Sequence, residues 1–129
     1  DVIVAVGGGS VIDMGKALAA LTPAPNGPLH YLEGVGAANP LEATPLPFAA
    51  IPTTSGTGAE ATKNAVIAVT EARRNVSLRD PRMVPNLAIV DAALTVNDDR
   101  DPSAVHAAQV RHADQIAVGV SDERQRSET

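Results

Sequence analysis

Residues Val2 to Val6 form an unbroken apolar and largely β-branched run, the pattern of a strand buried on both faces of a parallel sheet. Gly7, Gly8 and Gly9 end it. Ser10 is placed to cap the next element, and Asp13, three residues on, completes a Ser-x-x-Asp version of the capping box. Val11, Met14, Leu18 and Leu21 then recur at helical spacing, and the helix they predict ends before Pro23 and Pro25. Gly15 inside that helix costs about 1 kcal/mol relative to alanine, which marks close packing on the sheet.

Residues 22 to 46 are rich in Pro, Gly and Asn, with "YLEG" in the middle, and predict a long surface loop with one short turn. Phe48 to Ile51 is a short buried strand that runs into "PTTSGTGAE". The segments "NAVIAVT", ending at Thr70, and "RNVSL", starting at Arg74, are three residues apart and predict a β-hairpin. After the turn-like "RDPRMVP", Leu87 to Val90 is a further apolar strand closed by Asp91. From Asn97 the character changes: one helix is expected over Ala104 to Val118, followed by a polar end that frays. The apolar set beyond residue 97 is discontinuous, so this tail is expected to pack poorly. There is no internal repeat and no domain linker.

With 129 residues the chain is about one domain long. Aromatic residues are only 2%, so the core must be built from Val, Ile, Leu and Ala. The formal charge of −5 argues against nucleic acid as a partner, because such a binder needs a basic face to release phosphate counterions. The absence of cysteine excludes disulfides, thiolate metal sites and a thiol nucleophile. No apolar run approaches the roughly 20 residues that span a bilayer, and no basic n-region is present. A soluble, cytoplasmic protein with no membrane partner is the expectation. Because the sequence opens directly on a strand, a fragment of something larger is expected as well.

Three glycines between a strand and a helix let the backbone approach a ligand with no Cβ in the way, while the helix N-terminus offers free N–H groups. That geometry suits a diphosphate. The dinucleotide fingerprint G-x-G-x-x-G is not met, because Ile12 stands where its third glycine belongs, and a plain tight turn capped by Ser10 is the competing reading. Asp13 likewise reads as a capping residue and Lys16 as its i,i+3 partner. In "PTTSGTGAE" four hydroxyls (Thr53, Thr54, Ser55, Thr57) alternate with two glycines directly after a strand, placed to line a crevice at its carboxyl end or simply to form a polar loop. Two such loops, each closing an apolar strand, are expected to converge. His106 and His112 are six apart, about 120° out of alignment on a helix, with Asp114 the only acid close by, so no metal site is expected there. His30 is alone in a loop and expected to be solvated.

Taken together, "GGGSVIDMGK", "IPTTSGTGAEATKNAVI" and "VSLRDPRMVPNLAIVD" closely resemble the iron-type (group III) alcohol dehydrogenases, over about residues 1 to 96 and in the right order. The resemblance implies an α/β fold: a partial Rossmann-like dinucleotide-binding domain of the dehydroquinate synthase-like, iron-type alcohol dehydrogenase fold, truncated at both ends. Residues 1–96 would be the partial nicotinamide dinucleotide domain and 97–129 a divergent tail. By the resemblance Gly8, Gly9 and Ser10 hold the pyrophosphate of NAD or NADP, and Thr53, Thr54 and Thr57 contact phosphates and ribose, with Thr62 nearby. The full-length family would use Fe2+ or Zn2+ to act on a small alcohol or aldehyde, and would assemble as a homo-oligomer.

Three departures from the family pattern qualify this. Asn75 stands where a lysine usually precedes "VSLR", and Ala59 replaces a serine before the glutamate. After "VDAALTV" the family's metal-binding helix, reading like Gly-Met-Asp-Ala-Leu-Thr-His, is missing; its Asp and His positions fall near His112 and Ile116. No catalytic residue and no metal ligand is therefore assigned, and the isolated chain is expected to be inactive. The rival readings are a non-catalytic remnant and a metal-independent relative such as a maleylacetate reductase.

Overall fold

Small side chains decide how this chain packs. The structure, a computed structural model, describes residues 1–95 and 117–119. Strand β1 (Ile3–Gly7) leads into helix α1 (Gly9–Leu21), and the chain returns through β2 (Phe48–Pro52), parallel to β1 with Ile3 opposite Phe48 and Gly7 opposite Pro52. Strands β3 (Asn64–Val69) and β4 (Arg74–Arg79) form a separate antiparallel hairpin. Strand β5 (Leu87–Ile89) rejoins the first sheet, a four-residue helix α2 (Ala92–Thr95) follows, and β6 (Ala117–Gly119) pairs parallel to β5. The sheet order is β1-β2-β5-β6, all parallel, which is the α/β arrangement the pattern predicted.

Helix α1 lies between the sheet and the hairpin. Ile12 and Ala19 pack with Ala5, Phe48 and Ala50 of the sheet, while Ala17 and Ala20 pack with Ala65, Val76 and Leu78 of the hairpin. Close approach to the sheet is what Gly15 provides: a methyl group there would stand 2.6 Å from Phe48 Cε2 and 2.8 Å from the Ala5 methyl. The residues expected to form the apolar face, Val11, Met14 and Leu18, are instead 44–54% exposed. Gly and Ala let backbones meet closely, and dispersion contacts accumulate there. The larger side chains are left on the third side of the helix.

Burial of β1 differs from expectation for a related reason. Ala5 is buried beneath α1, but Val4 and Val6, on the alternate face, are each 56% exposed. Nothing among the described residues covers that face, where Val4 pairs with Ala49 and Val6 with Ile51. The expected capping box is also absent: Gly8 is the residue at the helix N-cap, no side chain caps it, and Ser10 lies inside the first turn.

The segment 22–46 is more than a surface loop. It turns once at Pro28–His30, as expected, but buries Tyr31, Leu32 and Leu41 under the hairpin. The Tyr31 hydroxyl donates to Glu42 Oε2 at 2.7 Å, and His30 is paired rather than merely solvated: its Nε2 lies 3.4 Å from Glu42 Oε1 and its Nδ1 3.3 Å from Asn39 Nδ2. At the chain's far end, residues 117 and 118 belong to β6 and not to the expected helix over Ala104 to Val118. The rest of that helix and the fraying end, with His106, His112 and Asp114, lie outside the described residues, as do all but three residues of the tail expected to pack poorly. No described helix is long and apolar enough to cross a membrane.

The Tyr31 hydroxyl, aided by a backbone donor and by His30, holds the Glu42 carboxyl below the usual glutamate range. A lowered carboxyl value means that this stabilisation is present above the ordinary glutamate value and is lost as pH falls through the lowered one. Tyr31→Phe is therefore expected to raise the Glu42 titration midpoint, followed by NMR of its side-chain carbonyl. An unmoved midpoint would show that the hydroxyl does not act on it.

Candidate functional site

Parallel pairing places the carboxyl ends of β1 and β2 side by side, so the two loops that follow them begin at the same edge of the sheet. One further rung holds them: the Thr53 N–H donates to the Gly7 carbonyl at 2.9 Å. The Gly8 carbonyl accepts the first bonds of α1, from Val11 N–H and Ile12 N–H, both at 3.1 Å. The N–H groups of Gly9 and Ser10 precede those bonds and have no partner within the helix, which leaves the positive end of a 13-residue helix open.

The second loop crosses in front of that end. Thr54 Oγ1 lies 3.1 Å from where a Cβ on Gly8 would stand, and Thr57 Cβ and Cγ2 lie 3.4 Å from the same position on Gly9. Gly8 has an ordinary extended backbone, φ −74° and ψ −175°, so its lack of a side chain serves space and not conformation. Conformation matters at Gly58, whose φ of +66° turns the chain into the short turn Ala59–Ala61. The Thr57 hydroxyl accepts from the Ala59 N–H at 3.4 Å, which fixes it toward that turn. Gly8, Gly9, Ser10, Thr53, Thr54 and Thr57 are thus brought together at one end of the sheet.

Thr62 is engaged elsewhere. Its hydroxyl accepts from Lys16 Nζ at 2.9 Å and donates to the Ala59 carbonyl at 3.4 Å. Lys16 is only 1% exposed, and its ammonium also donates to the Asn64 carbonyl at 3.0 Å and to Asp13 Oδ1 at 3.4 Å. Burial pushes the Lys16 ammonium below the usual lysine range, against the opposing pull of Asp13 and Glu60. Asp13 reaches further than its i,i+3 partner, because its Oδ2 accepts the Val66 N–H at 3.0 Å. This hub was missed in the sequence. The one signal available was that Lys16 shares its helix face with Ile12 and Ala19.

Asn75 lies exposed on β4, opposite Ala68. Among the described residues no three His, Cys, Asp or Glu side chains are grouped to hold a metal ion. The arrangement as it stands offers neutral donors, backbone N–H and hydroxyl, to an anionic ligand at the helix N-terminus, with a glycine-walled approach that admits the ligand closely.

Comparison with known proteins bears on the family and the fold. Residues 1–92 match the family model described as iron-containing alcohol dehydrogenase. Lactaldehyde reductase of Escherichia coli is 38% identical over 109 residues, covering 84% of this chain and 27% of that protein. NAD-dependent methanol dehydrogenase of Bacillus methanolicus is 38% identical over 96 residues, 74% of this chain and 24% of that protein. The crystal structure of sulfoacetaldehyde reductase from Bifidobacterium kashiwanohense in complex with NAD+ superposes with a TM-score of 0.65 at 33% identity, over 71% of this chain and 24% of that one. The chain spans about a quarter of the length of these relatives. Because the family match runs through both glycine-containing loops and the hairpin between β2 and β5, the chain belongs to the iron-containing alcohol dehydrogenase family.

Proposed function

We propose that this chain supplies the diphosphate-binding half of a nicotinamide dinucleotide site, in an oxidoreductase that interconverts a small alcohol and its carbonyl product. The observation that carries the reading is the cradle at Gly8 and Gly9, walled by Thr54 and Thr57 at 3.1 and 3.4 Å from the missing Cβ positions. A diphosphate fits it chemically: its oxygens need donors without bulk, and the open N–H groups of α1 with the threonine hydroxyls are such donors. The nicotinamide, when bound, supplies the hydride acceptor or donor. The chain's own part is to hold the diphosphate and so orient the dinucleotide across the carboxyl ends of β1 and β2. No metal step is assigned to the described residues, which offer no ligand set.

The adenine contacts of such a site, and ribose contacts beyond those of the threonines, are not part of this cradle, and each missing contact lowers affinity by on the order of 5 to 150-fold. Millimolar binding of NAD is the expected result for the 129-residue chain. Titration followed by amide NMR is expected to shift Gly8, Gly9, Ser10 and Thr53 to Thr57 together, with no alcohol-dependent reduction of NAD on adding Fe2+ or Zn2+. Shifts confined to other residues, or none at all, would favour the non-catalytic remnant.

A further inference from the structure

Asn26 is the one asparagine of six that is followed by glycine. The others precede Pro40, Ala65, Val76, Leu87 and Asp98, each with a side chain or ring beside the peptide nitrogen. Gly27 has none, and a Cβ built there would meet nothing within 4 Å. Asn26 and Gly27 are both exposed, and among the described residues the Gly27 N–H has no hydrogen-bond acceptor. A free peptide nitrogen next to an asparagine carboxamide is placed for intramolecular attack, and glycine leaves the approach unhindered.

The same carboxamide holds part of the fold. Its Nδ2 donates to Glu42 Oε1 at 3.4 Å and to the Tyr31 hydroxyl at 3.5 Å, and the Asn26 backbone N–H donates to that hydroxyl at 3.4 Å. Tyr31 in turn donates to Glu42 Oε2 at 2.7 Å, and His30 Nε2 lies 3.4 Å from Glu42 Oε1. Residues 26 and 42 stand near the two ends of the 22–46 segment, so these contacts tie its ends together through the buried Tyr31.

We infer that Asn26 is a site of spontaneous deamidation, and that its conversion is a one-way charge switch that loosens the 22–46 segment from the hairpin. The Gly27 nitrogen gives its proton to solvent and bonds to Asn26 Cγ; the Cγ–Nδ2 bond breaks, and Nδ2 leaves as ammonia with a proton from solvent. Water then opens the succinimide at either carbonyl, which leaves aspartate or, with the backbone rerouted through Cβ and Cγ, isoaspartate. No oxidant or reductant is needed. In both products a carboxylate replaces a donor that faced Glu42 and Tyr31. Its oxygens have no proton to give, so the bonds made by Nδ2 are lost, and the new charge repels the Glu42 carboxylate. The single proton of the Tyr31 hydroxyl is then contested between two carboxylates. What this clasp supports is read at two amides: Glu33 N–H donates to the Ser77 carbonyl of the hairpin at 3.2 Å, and Asn39 N–H donates to the His30 carbonyl at 3.1 Å.

The site is tested by peptide mass mapping of the full chain aged in mildly alkaline buffer, beside Gly27→Ala. Alanine is tolerated there because the backbone is extended, φ −70° and ψ 164°, as the following Pro28 prefers. Deamidation at Asn26 is expected to outrun that at every other asparagine by about tenfold or more, and to slow by a similar factor in Gly27→Ala. No product at residue 26, or equal product in Gly27→Ala, overturns the site. The switch is read by hydrogen exchange at the Glu33 and Asn39 amides in Asn26→Asp, with Asn26→Ser as the uncharged control. Exchange is expected to speed about fivefold or more in Asn26→Asp, and less in Asn26→Ser. Wild-type exchange in Asn26→Asp, or equal speeding in both variants, overturns the switch. Should Asn26→Asp not fold, the deamidated wild-type chain, separated by ion exchange, takes its place, and unaltered exchange in it overturns the switch equally.

Discussion

Gly15→Val is expected to destabilise the chain by more than about 3 kcal/mol, toward the upper end of what overpacking of a core costs. Even the first added carbon has no room, with Phe48 Cε2 at 2.6 Å and the Ala5 methyl at 2.8 Å from it. Neither neighbour yields cheaply, since Phe48 is itself only 3% exposed and Ala5 is fixed by the β1–β2 ladder. Gly15→Ala separates this from intrinsic helix preference. Alanine gains about 1 kcal/mol as a helix former, so a net loss in urea unfolding requires the steric penalty to exceed that gain. A stabilised Gly15→Ala variant would mean that α1 does not approach the sheet this closely.

Gly8→Val is expected to do the opposite: to keep the fold and abolish NAD binding. The backbone at Gly8 is extended, a conformation valine adopts readily, and the helix loses only a modest N-cap preference. The valine methyls would enter the gap before Thr54 Oγ1, which is 3.1 Å from the new Cβ, and occupy the space the diphosphate needs. Affinity is expected to fall at least 100-fold, seen as loss of every NAD-induced amide shift with the melting temperature nearly unchanged. Retained shifts at Gly9 and Ser10 would place the anion somewhere other than this cradle.

What was legible in the sequence, and what was not, divides along physical lines. The hairpin and the two loops stood out because alternation, turn residues and glycine clusters are local properties, and the loops' convergence followed from parallel strands sharing one end. The buried face of α1 was misjudged because a search for large apolar side chains passes over Gly15, Ala17, Ala19 and Ala20, whose smallness is what brings the helix close. Tyr31, Leu32 and Leu41 sit in a stretch without periodicity, so nothing local announced their burial. Lys16 was hidden for a third reason. A lysine on a helix ordinarily points to water, and only tertiary partners drawn from 46 and 48 residues away reveal that this one does not.

The rung between Thr53 N–H and the Gly7 carbonyl has a kinetic consequence. Ile3 meets Phe48 only after 45 residues of chain have been drawn together, whereas Val69 and Arg74 meet across a turn of four residues, 70 to 73. Loop-closure entropy grows with the logarithm of the span, so the hairpin closes early and the pairing of β1 with β2 late. The proposed cradle needs the ends of that late pairing as well as the N-terminus of α1. Binding competence during refolding should thus appear with the slowest phase of the main transition, after the hairpin amides are already protected.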